Sequence, residues 1–467
     1  MGSLPQDYVL PDASASHLVL TNPTEAEKKQ TWTLNHEEWG GALSLSEYLE
    51  REPYIATIPL SADGGMSHWI LTDPTVEASS GAPRPVLASG ESTRKRVLYL
   101  RPGAEAEVKD GIAYGVGSIY TYPQFRGKRY ASRLLRELGT ELRTWPQRQG
   151  GGAGAGKPEA ERAVCSALWS DIGKDFYARK GWAAFPSRHV EFPVPATTAA
   201  VNGNAAATTP TNGEAAATTE GNAGTQGQER EEEEEKEEEG VTVTPVTYSN
   251  LAALCADDEH ILRTRVLPRA ARATGKTCVA FAPDHDAMRW HLYRDDFIAS
   301  LVFAGAGGEC GRSEIKGAVA VAAGGRKRVW AVWSRSYHGK DPDPATEAGR
   351  KNTLYILRLA IDAGEGEGEG DEDAIIGNDD ELAAAFRAVL RAAVREARAW
   401  RLAKIDMWNP TPAARRLVER SGRAHRWVDR EVDSIPSLMW YGDGEEREKV
   451  REDEEIEWVA NEKFCWC

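Results

Sequence analysis

The stretch YPQFRGKRYASRLL, residues 122–135, decides the fold. It places a glycine among three basic side chains, directly before an amphipathic pattern. The apolar positions that follow recur with helical spacing: Ala131, Leu134, Leu135, Leu138 and Leu142. This spacing is typical of a helix that lies on a sheet. The stretch therefore predicts the end of a strand, a tight basic turn and the start of a helix.

The start of this helix is suited to an anion. The first N–H groups of a helix lack intrahelical acceptors, and the helix dipole makes this end positive. Gly127 allows a ligand to approach the backbone, while Arg126, Lys128 and Arg129 add positive charge. These features predict a pyrophosphate site, and a solvated basic loop is the alternative.

The acidity of the chain is concentrated in two short segments. The chain has 467 residues and a formal net charge of −15. Residues 229–239 contain nine acidic and two basic side chains, and residues 365–373 contain six acidic ones. The rest is nearly neutral, so the charge gives no support for nucleic-acid binding.

Composition also indicates the cellular compartment. No apolar run is long enough for a membrane span, and the first residues lack the pattern of a secretory signal. The six cysteines are scattered, which fits reduced thiols better than a disulfide framework. We therefore expect a cytoplasmic protein without a membrane partner.

The composition divides the chain into three parts. Residues 195–240 are rich in Ala, Thr, Asn, Gly and Glu and contain no aromatic side chain, so we expect a disordered low-complexity linker. Residues 1–194 and 241–467 are the predicted domains on either side of it.

Both predicted domains alternate strands and helices, which indicates an α+β fold. The strands expected in the first are 65–73, 85–100, 112–123, 163–170 and 189–194, with helices at 35–54, from 131 onward and at 172–181. The second has strands expected at 352–361, 404–410 and 435–442, and helices at 386–400 and 412–422. The order in the second domain is compatible with a degenerate repeat of the first, or with an unrelated α+β layer.

The basic turn carries a family resemblance. YPQFRGKRYASRLLREL resembles the acetyl-CoA signature of the GCN5-related N-acetyltransferases (GNAT), Arg/Gln-x-x-Gly-x-Gly/Ala at a helix start. Arg126 and Ala131 match, whereas Arg129 occupies the glycine position. Its side chain would either crowd the pyrophosphate or pair with a phosphate of CoA.

The resemblance implies a GNAT-type acyl-CoA N-acyltransferase fold in which the turn binds the pyrophosphate and the preceding strand pairs with the pantetheine arm. The cofactor-binding residues implied for acetyl-CoA are Ser118, Ile119, Tyr120, Thr121, Arg126, Gly127, Lys128, Arg129, Tyr130 and Ala131. A backbone N–H of this strand would polarise the thioester carbonyl.

A second segment, FYARKGW at 176–182, is similar to the family's FYxxxGF. The resemblance implies that Tyr177 protonates the departing CoA thiolate, a role that suits a phenol. A packed aromatic side chain at a helix end is the alternative interpretation.

The resemblance extends along most of the chain. Segments such as 168–194, 284–297 and IEWVANEKFCWC at 456–467 resemble the fungal lysine acetyltransferase family. This implies transfer of acetyl from acetyl-CoA to the side-chain amine of free L-lysine, in lysine catabolism, with the C-terminal domain contributing to substrate recognition. The alternatives are another small amine, a protein lysine, or a CoA-binding protein that has lost catalysis.

The transfer requires a base, because a lysine side chain is cationic at neutral pH. Glu37, Glu38 and Glu91 are candidates, and each is also compatible with a merely structural acid. Partners for the amino-acid head group are expected in 284–291 or 407–410. We predict no metal, since His285 and His291 are six residues apart and do not share a helix face.

Overall fold

The structure is a computed structural model that describes residues 8–76, 84–103, 107–149, 163–195, 238–304, 314–364, 371–442 and 455–466. Most of the predicted linker, 195–240, lies outside the described residues. The acidic run at 365–373 is described from residue 371 onward.

The strands in chain order are β1 (Val19–Thr21), β2 (Met66–Thr72), β3 (Val86–Leu100), β4 (Lys109–Tyr120), β5 (Ala163–Ser170), β6 (Ala183–Ala184), β7 (Arg188–Pro193), β8 (Val241–Val246), β9 (Thr277–Phe281), β10 (Gly317–Ala322), β11 (Arg328–Ser336), β12 (Thr353–Asp362), β13 (Lys404–Trp408), β14 (Arg426–Asp429), β15 (Ile435–Trp440) and β16 (Ile456–Trp458). The α-helices are α1 (Glu25–Trp39), α2 (Leu45–Ala56), α3 (Tyr130–Gln149), α4 (Asp175–Ala178), α5 (Tyr248–Ile261), α6 (Leu267–Thr274), α7 (His285–Val302), α8 (Glu372–Asn378), α9 (Asp380–Ala399) and α10 (Pro412–Glu419). The α+β class is confirmed.

The first sheet has the order β1-β2-β3-β4-β5-β15-β6, with β9 beside β3 and β16 beside β9. Its central strands β4 and β5 run parallel, and α3 connects them. The predicted apolar stripe of α3 is the face that packs on this sheet: Leu134, Leu135, Leu138 and Leu142 are fully buried. The basic turn therefore lies where β4 ends and α3 begins.

The second sheet has the order β14-β7-β13-β12-β11-β10-β8. It repeats the central plan of the first, because β12 and β13 run parallel and the long helix α9 lies between them in the chain. The short helix α10 follows β13 as α4 follows β5. The second half is thus a further copy of the strand–helix–strand–helix unit.

The two sheets exchange strands. β7, from the first half of the chain, pairs antiparallel with β13, and β15, from the second half, pairs antiparallel with β5. The prediction that the strand at 189–194 completes the first sheet is therefore wrong. An apolar alternation shows that a segment is a strand, but it does not identify the sheet that the strand joins.

Two predicted helices also differ from those observed. The helix expected over 35–54 is split, because α1 ends at Trp39 and α2 begins at Leu45 after its own N-cap, Ser44. The Ser44 hydroxyl and the Glu47 carboxylate form a capping box that starts α2 independently. The helix expected over 172–181 is only the single turn Asp175–Ala178.

Candidate active site

The central parallel strands part at the C-terminal end of their ladder. The last pair between β4 and β5 is Val116 with Leu168, whereas β4 continues to Tyr120 and β5 to Ser170. Beyond that pair, the edge of β4 that faces β5 is available to an extended ligand. A ligand amide can bond to such an edge as a further strand would.

A bulge in β4 marks the point of separation. Ser89 faces Tyr120 and Glu91 faces Gly117, so Gly90 alone opposes the two residues between. Ser118 takes a φ of 52°, in the left-handed region that a serine rarely adopts. A Cβ on Gly90 would lie 2.5 Å from Cδ1 of Ile119, so a larger residue there would have to displace the Ile119 side chain. Backbone strain of this kind clusters at functional sites.

A cavity of about 830 Å³ opens at this separation. Its walls come from both halves of the chain: from α1, α2, β3, β4 and α4 on one side, and from α7, the end of β11 and Trp466 on the other. The predicted site residues that line it are Ser118, Ile119, Tyr120, Thr121, Arg126, Ala131 and Tyr177. The volume is within the usual range for a ligand site.

The basic turn presents a set of free donors. Within the described chain, the backbone N–H groups of residues 127–132 have no acceptor. Gly127 has a φ of 78°, and Arg129, at the family's glycine position, has a φ of 68°. The left-handed backbone expected of a glycine is thus retained by an arginine, at a cost of roughly 1–2 kcal/mol.

The four basic-turn residues that do not line the cavity have different surroundings. Lys128 and Arg129 are exposed, and neither makes an ion pair with any described residue. Gly127 is exposed. Tyr130 is buried and donates its hydroxyl hydrogen to the carbonyl of Pro11 at 2.5 Å, so its side chain holds the N-terminal segment.

Arg126 lies at the cavity rim and is already engaged. Its Nε donates to the carbonyl oxygen of Thr121 at 3.1 Å, and its Nη2 lies 3.8 Å from a carboxylate oxygen of Glu38. The guanidinium is therefore fixed over the end of β4, beside the free N–H groups.

Tyr177 lies on the β5 side of the separation, in α4. It is 9% exposed, and its hydroxyl has no hydrogen-bond partner among the described residues. Burial, with a smaller effect of Asp171, raises the pKa of this phenol to about 12. The hydroxyl therefore keeps its proton at neutral pH and can donate it into the cavity.

Of the three candidate bases, Glu91 has the geometry that the role requires. It lines the cavity next to the bulge, and Ser118 Oγ donates a hydrogen bond to its Oε2 at 2.9 Å. Burial raises the pKa of Glu91, although the hydrogen bond from Ser118 and the charge of Arg51 oppose this shift. Nε2 of His68 lies 3.4 Å from its other oxygen, and burial lowers the pKa of His68 to about 4.

The other two candidate bases are less well placed. Glu38 lies at the cavity rim, where its side chain is 53% exposed. Glu37 is exposed and lies outside the cavity lining. A glutamate among small and apolar residues of a central strand is the sequence signal that distinguishes Glu91 from both.

The inner part of the cavity contains charged residues that the sequence reasoning missed. Arg51 and Glu52 of α2 form an ion pair there. Arg294 of α7 also lines the cavity. Of the expected segment 284–291, Trp290 lines the cavity; residues 407–410 lie outside its lining.

The corresponding separation in the second sheet is filled by the protein itself. β12 pairs with β13 only from Thr353 to Ile356, and the segment after β16 occupies the space beyond. Glu462 accepts a hydrogen bond from the backbone N–H of Leu359 at 2.9 Å and pairs with the buried Arg358. The second copy therefore has no open cleft comparable to that of β4 and β5 in the part described.

This C-terminal segment also builds the first site. Lys95 of β3 donates to the carbonyl oxygen of Cys465 at 2.8 Å, and Nε2 of His291 lies 3.0 Å from that of Phe464. These contacts place Trp466 in the cavity wall. The second half thus completes the cavity of the first.

One cluster away from the cavity has residues that commonly bind metals. His189, Glu191 and Asp406 bring their ligand atoms within 4.8 Å of one another. Nζ of Lys404, however, lies 2.8 Å from Glu191 and 3.1 Å from Asp406, so an ammonium group already occupies the position of a cation. The absence of a metal remains a prediction.

Parted parallel strands, a bulge beside a half-buried carboxylate and an anion site at a helix start define the class of GNAT acyltransferase folds. Residues 228–467 match the family model described as the LYC1 GNAT-like C-terminal domain. The chain belongs to the fungal GNAT lysine acetyltransferase family.

Two curated relatives are similar to parts of the chain. A lysine acetyltransferase of Yarrowia lipolytica is 24% identical over 192 residues, which are 39% of this chain and 45% of that protein. The uncharacterized protein YGR111W of Saccharomyces cerevisiae is 21% identical over 127 residues, 24% of this chain and 32% of that protein. The chain thus spans less than half the length of each of these relatives.

Solved structures with a similar arrangement include a GCN5-related N-acetyltransferase from Kribbella flavida, with 12% identity and a TM-score of 0.42, covering 90% of this chain and 70% of that one. Saccharomyces cerevisiae N-myristoyltransferase with bound myristoyl-CoA has 11% identity and a TM-score of 0.42, covering 93% and 82%. Within the described residues, no helix has the length and apolar character needed to cross a membrane.

Proposed function

We propose that this protein transfers acetyl from acetyl-CoA to the side-chain amine of free L-lysine. The observation that carries the proposal is that a half-buried carboxylate, Glu91, and the phenol of Tyr177 line the same cavity at the gap between β4 and β5. An acetyl transfer needs one group to take a proton from the amine and another to give one to the thiolate.

The cofactor fits the open side of this gap. The free N–H groups of 127–132 would receive the pyrophosphate, with Lys128 and Arg129 beside it. The pantetheine arm would lie along the exposed edge of β4 and bring the thioester to the bulge at Ser118. A backbone N–H in this strained segment would then polarise the thioester carbonyl.

The acceptor amine reacts only when it is neutral. In this proposal, Glu91 takes a proton from the ammonium group of the substrate, directly or through a water molecule. Because burial raises the pKa of Glu91, this carboxylate is a stronger base than an exposed glutamate. Its hydrogen bond from Ser118 fixes the acceptor oxygen next to the bulge.

The bond changes then balance within the cavity. The amine nitrogen forms a bond to the acetyl carbon, and the bond between that carbon and the CoA sulfur breaks. Glu91 passes the first proton to solvent and takes the second from the nitrogen as the amide forms, while Tyr177 supplies a proton to the leaving sulfur. The proton on Glu91 then returns to Tyr177 through solvent, so one proton is released overall. The products are the acetylated amine and free CoA thiol.

The choice of lysine rests on the family and on the Yarrowia lipolytica relative named as a lysine acetyltransferase. A role in lysine breakdown follows from the same resemblance and is part of the proposal. The proposal also includes the cytoplasmic location expected from the composition and domains bounded at residues 194 and 241. The contribution of the C-terminal half to substrate recognition is supported by α7 and Trp466 in the cavity wall.

The test is CoA-thiol release from acetyl-CoA by the purified full chain. Release that depends on L-lysine would support the proposal. Faster release with a lysine peptide or another amine would instead favour the alternative acceptors. Saturable acetyl-CoA binding without release for any amine would indicate the degenerate CoA-binding protein.

A further inference from the structure

The charges that line the inner cavity are unevenly paired. Arg51 and Glu52 neutralise each other, because both the Nε and the Nη2 of Arg51 donate to Oε1 of Glu52. Arg51 is further held over the ring of Tyr48, with its Cζ 4.2 Å from the ring centroid. The second oxygen of Glu52, Oε2, receives no hydrogen bond from any described residue.

Arg294 has no such partner. Its guanidinium makes no hydrogen bond or ion pair with the described residues, and it lies beside the ring of Trp466, whose centroid is 5.7 Å from Cζ. The two acids that follow it on α7 are bound elsewhere, since Asp295 and Asp296 both pair with Arg335. Burial and the charge of Arg51 lower the pKa of Arg294 to about 10, so it is still a cation at neutral pH.

An unpaired cation in a partly buried cavity is costly unless a ligand supplies the anion. A planar guanidinium is matched to a carboxylate, which it can bind through two parallel hydrogen bonds. The CoA phosphates are proposed to bind at the start of α3. Arg294 lies instead on α7, which packs on α2. The anion that Arg294 receives therefore belongs to the acceptor.

The remaining walls describe the rest of that acceptor. Ile55, Met66 and Ile298 offer apolar contact for a chain of methylene groups. The free oxygen of Glu52 offers an acceptor for an ammonium group, next to the guanidinium that would bind a carboxylate. The cavity thus has separate features for an amino-acid head group, an aliphatic chain and a reacting amine.

Given the proposed acetyl transfer, on which this inference rests, we propose that Arg294 binds the α-carboxylate of the acceptor while Oε2 of Glu52 receives its α-ammonium group. The cavity then selects a free amino acid over a diamine or a lysine within a peptide. Arg294 and Glu52 determine specificity, and Glu91 and Tyr177 act on the reacting amine and the leaving thiolate.

The experiment compares three acceptors: L-lysine, L-lysinamide, whose carboxylate is blocked, and 1,5-diaminopentane, which lacks it. The test variant is Arg294→Gln, and Arg289→Gln, on the same helix but outside the cavity, is the matched control. We expect the native chain to favour L-lysine by about 100-fold in kcat/KM over each of the other two acceptors, and Arg294→Gln to lose that preference because its kcat/KM with L-lysine falls, whereas Arg289→Gln keeps it. Equal use of the three acceptors by the native chain, or an unchanged preference in the variant, would overturn the proposal.

A binding measurement separates this proposal from the proposed function. L-Norleucine has the head group and the aliphatic chain of lysine but lacks the reacting amine. We expect calorimetry to detect its binding to the native chain with CoA, and to Arg289→Gln, but not to Arg294→Gln. If L-norleucine binds as expected but no acetyl transfer occurs, the proposed function is contradicted and the head-group site is still supported.

The head-group site itself is contradicted if L-norleucine binds the native chain and Arg294→Gln equally, or binds neither. Arg294→Lys serves as a second variant in case the glutamine disturbs folding, which the thermal midpoint would reveal. A lysine keeps the charge but not the two-pronged geometry, so we expect intermediate binding of L-norleucine.

Discussion

Ser118 donates its hydroxyl hydrogen to Glu91 at 2.9 Å, which connects a strained residue of the β4 bulge to a half-buried carboxylate on β3. The bulge is where the thioester carbonyl is proposed to lie, and the carboxylate is the proposed base. One hydrogen bond thus connects the proposed position of the thioester carbonyl with the proposed base.

Removal of the base is the first prediction. Glu91→Gln keeps the size of the side chain and an oxygen that accepts the Ser118 hydrogen bond, but it cannot take a proton. We expect kcat to fall by about 10²–10⁴-fold, with the affinity for acetyl-CoA unchanged in a calorimetric titration. Glu37→Gln, outside the cavity lining, is the control and should be fully active. A Glu91→Gln variant with native kcat would show that the base lies elsewhere.

The second prediction concerns pH. Because burial raises the pKa of Glu91 and the Ser118 hydrogen bond lowers it, loss of that hydrogen bond raises the pKa further. The base works only when deprotonated, so Ser118→Ala should move the acidic limb of the kcat/KM profile to higher pH. In Glu91→Gln this limb should disappear. A limb at the same pH in Ser118→Ala would contradict the assignment.

The third prediction tests the leaving-group acid. Tyr177→Phe removes only the hydroxyl that faces the cavity, so the thiolate must leave without a proton from the protein. We expect kcat to fall by about 10²-fold or more, while the Kd for acetyl-CoA stays within about twofold. Tyr293→Phe, on α7 and outside the cavity lining, is the matched control. If Tyr177→Phe and Tyr293→Phe have equal kcat, Tyr177 serves in packing and is not the acid.

The fourth prediction separates strain from charge at Arg129. Arg129→Gly relieves the left-handed backbone and removes the charge, whereas Arg129→Ala removes the charge alone. Only the glycine variant should gain stability, by roughly 1 kcal/mol in urea unfolding. Both variants should bind CoA several-fold more weakly and with less dependence on salt. CoA affinity equal to that of the native chain in both would show that Arg129 makes no phosphate contact.

The fifth prediction concerns the segment that fills the second cleft. Glu462 is buried with Arg358, which also pairs with Asp258. Glu462→Ala leaves Arg358 with one partner and the N–H of Leu359 without an acceptor, so we expect a loss of about 3–5 kcal/mol in the free energy of unfolding. Glu455→Ala, at an exposed acid just before β16, should cost under about 1 kcal/mol. A small loss in the free energy of unfolding of Glu462→Ala would show that the segment after β16 is loosely held in the second cleft.

Local patterns in the sequence predict much of the first sheet. The strands at 65–73, 85–100, 112–123 and 163–170 are confirmed as β2, β3, β4 and β5, and the helical spacing from Ala131 is confirmed by the buried face of α3. These elements have continuous apolar or amphipathic patterns, which report burial directly. The turn at the start of α3 has the glycine-like backbone that the motif implies, even with an arginine at position 129.

Long-range relationships are the part that local patterns do not contain. The exchange of β7 and β15 depends on which sheet edge each strand meets, and both edges present similar backbone groups. Arg294 stands in a charged helical segment with two acids beside it, so its isolation from them appears only once Arg335 is in place. Glu91 required the position of the bulge before it could be distinguished from Glu37 and Glu38.

The most direct test of the central claim is the site of acetylation in the product. Acetyl-CoA labelled with ¹³C in the acetyl carbonyl is incubated with L-lysine and the purified chain, and the product is examined by NMR. The account predicts one amide, on the side-chain nitrogen, formed in equal amount to the CoA thiol released. An amide on the α-nitrogen, or thiol release without any acetylated lysine, would contradict it.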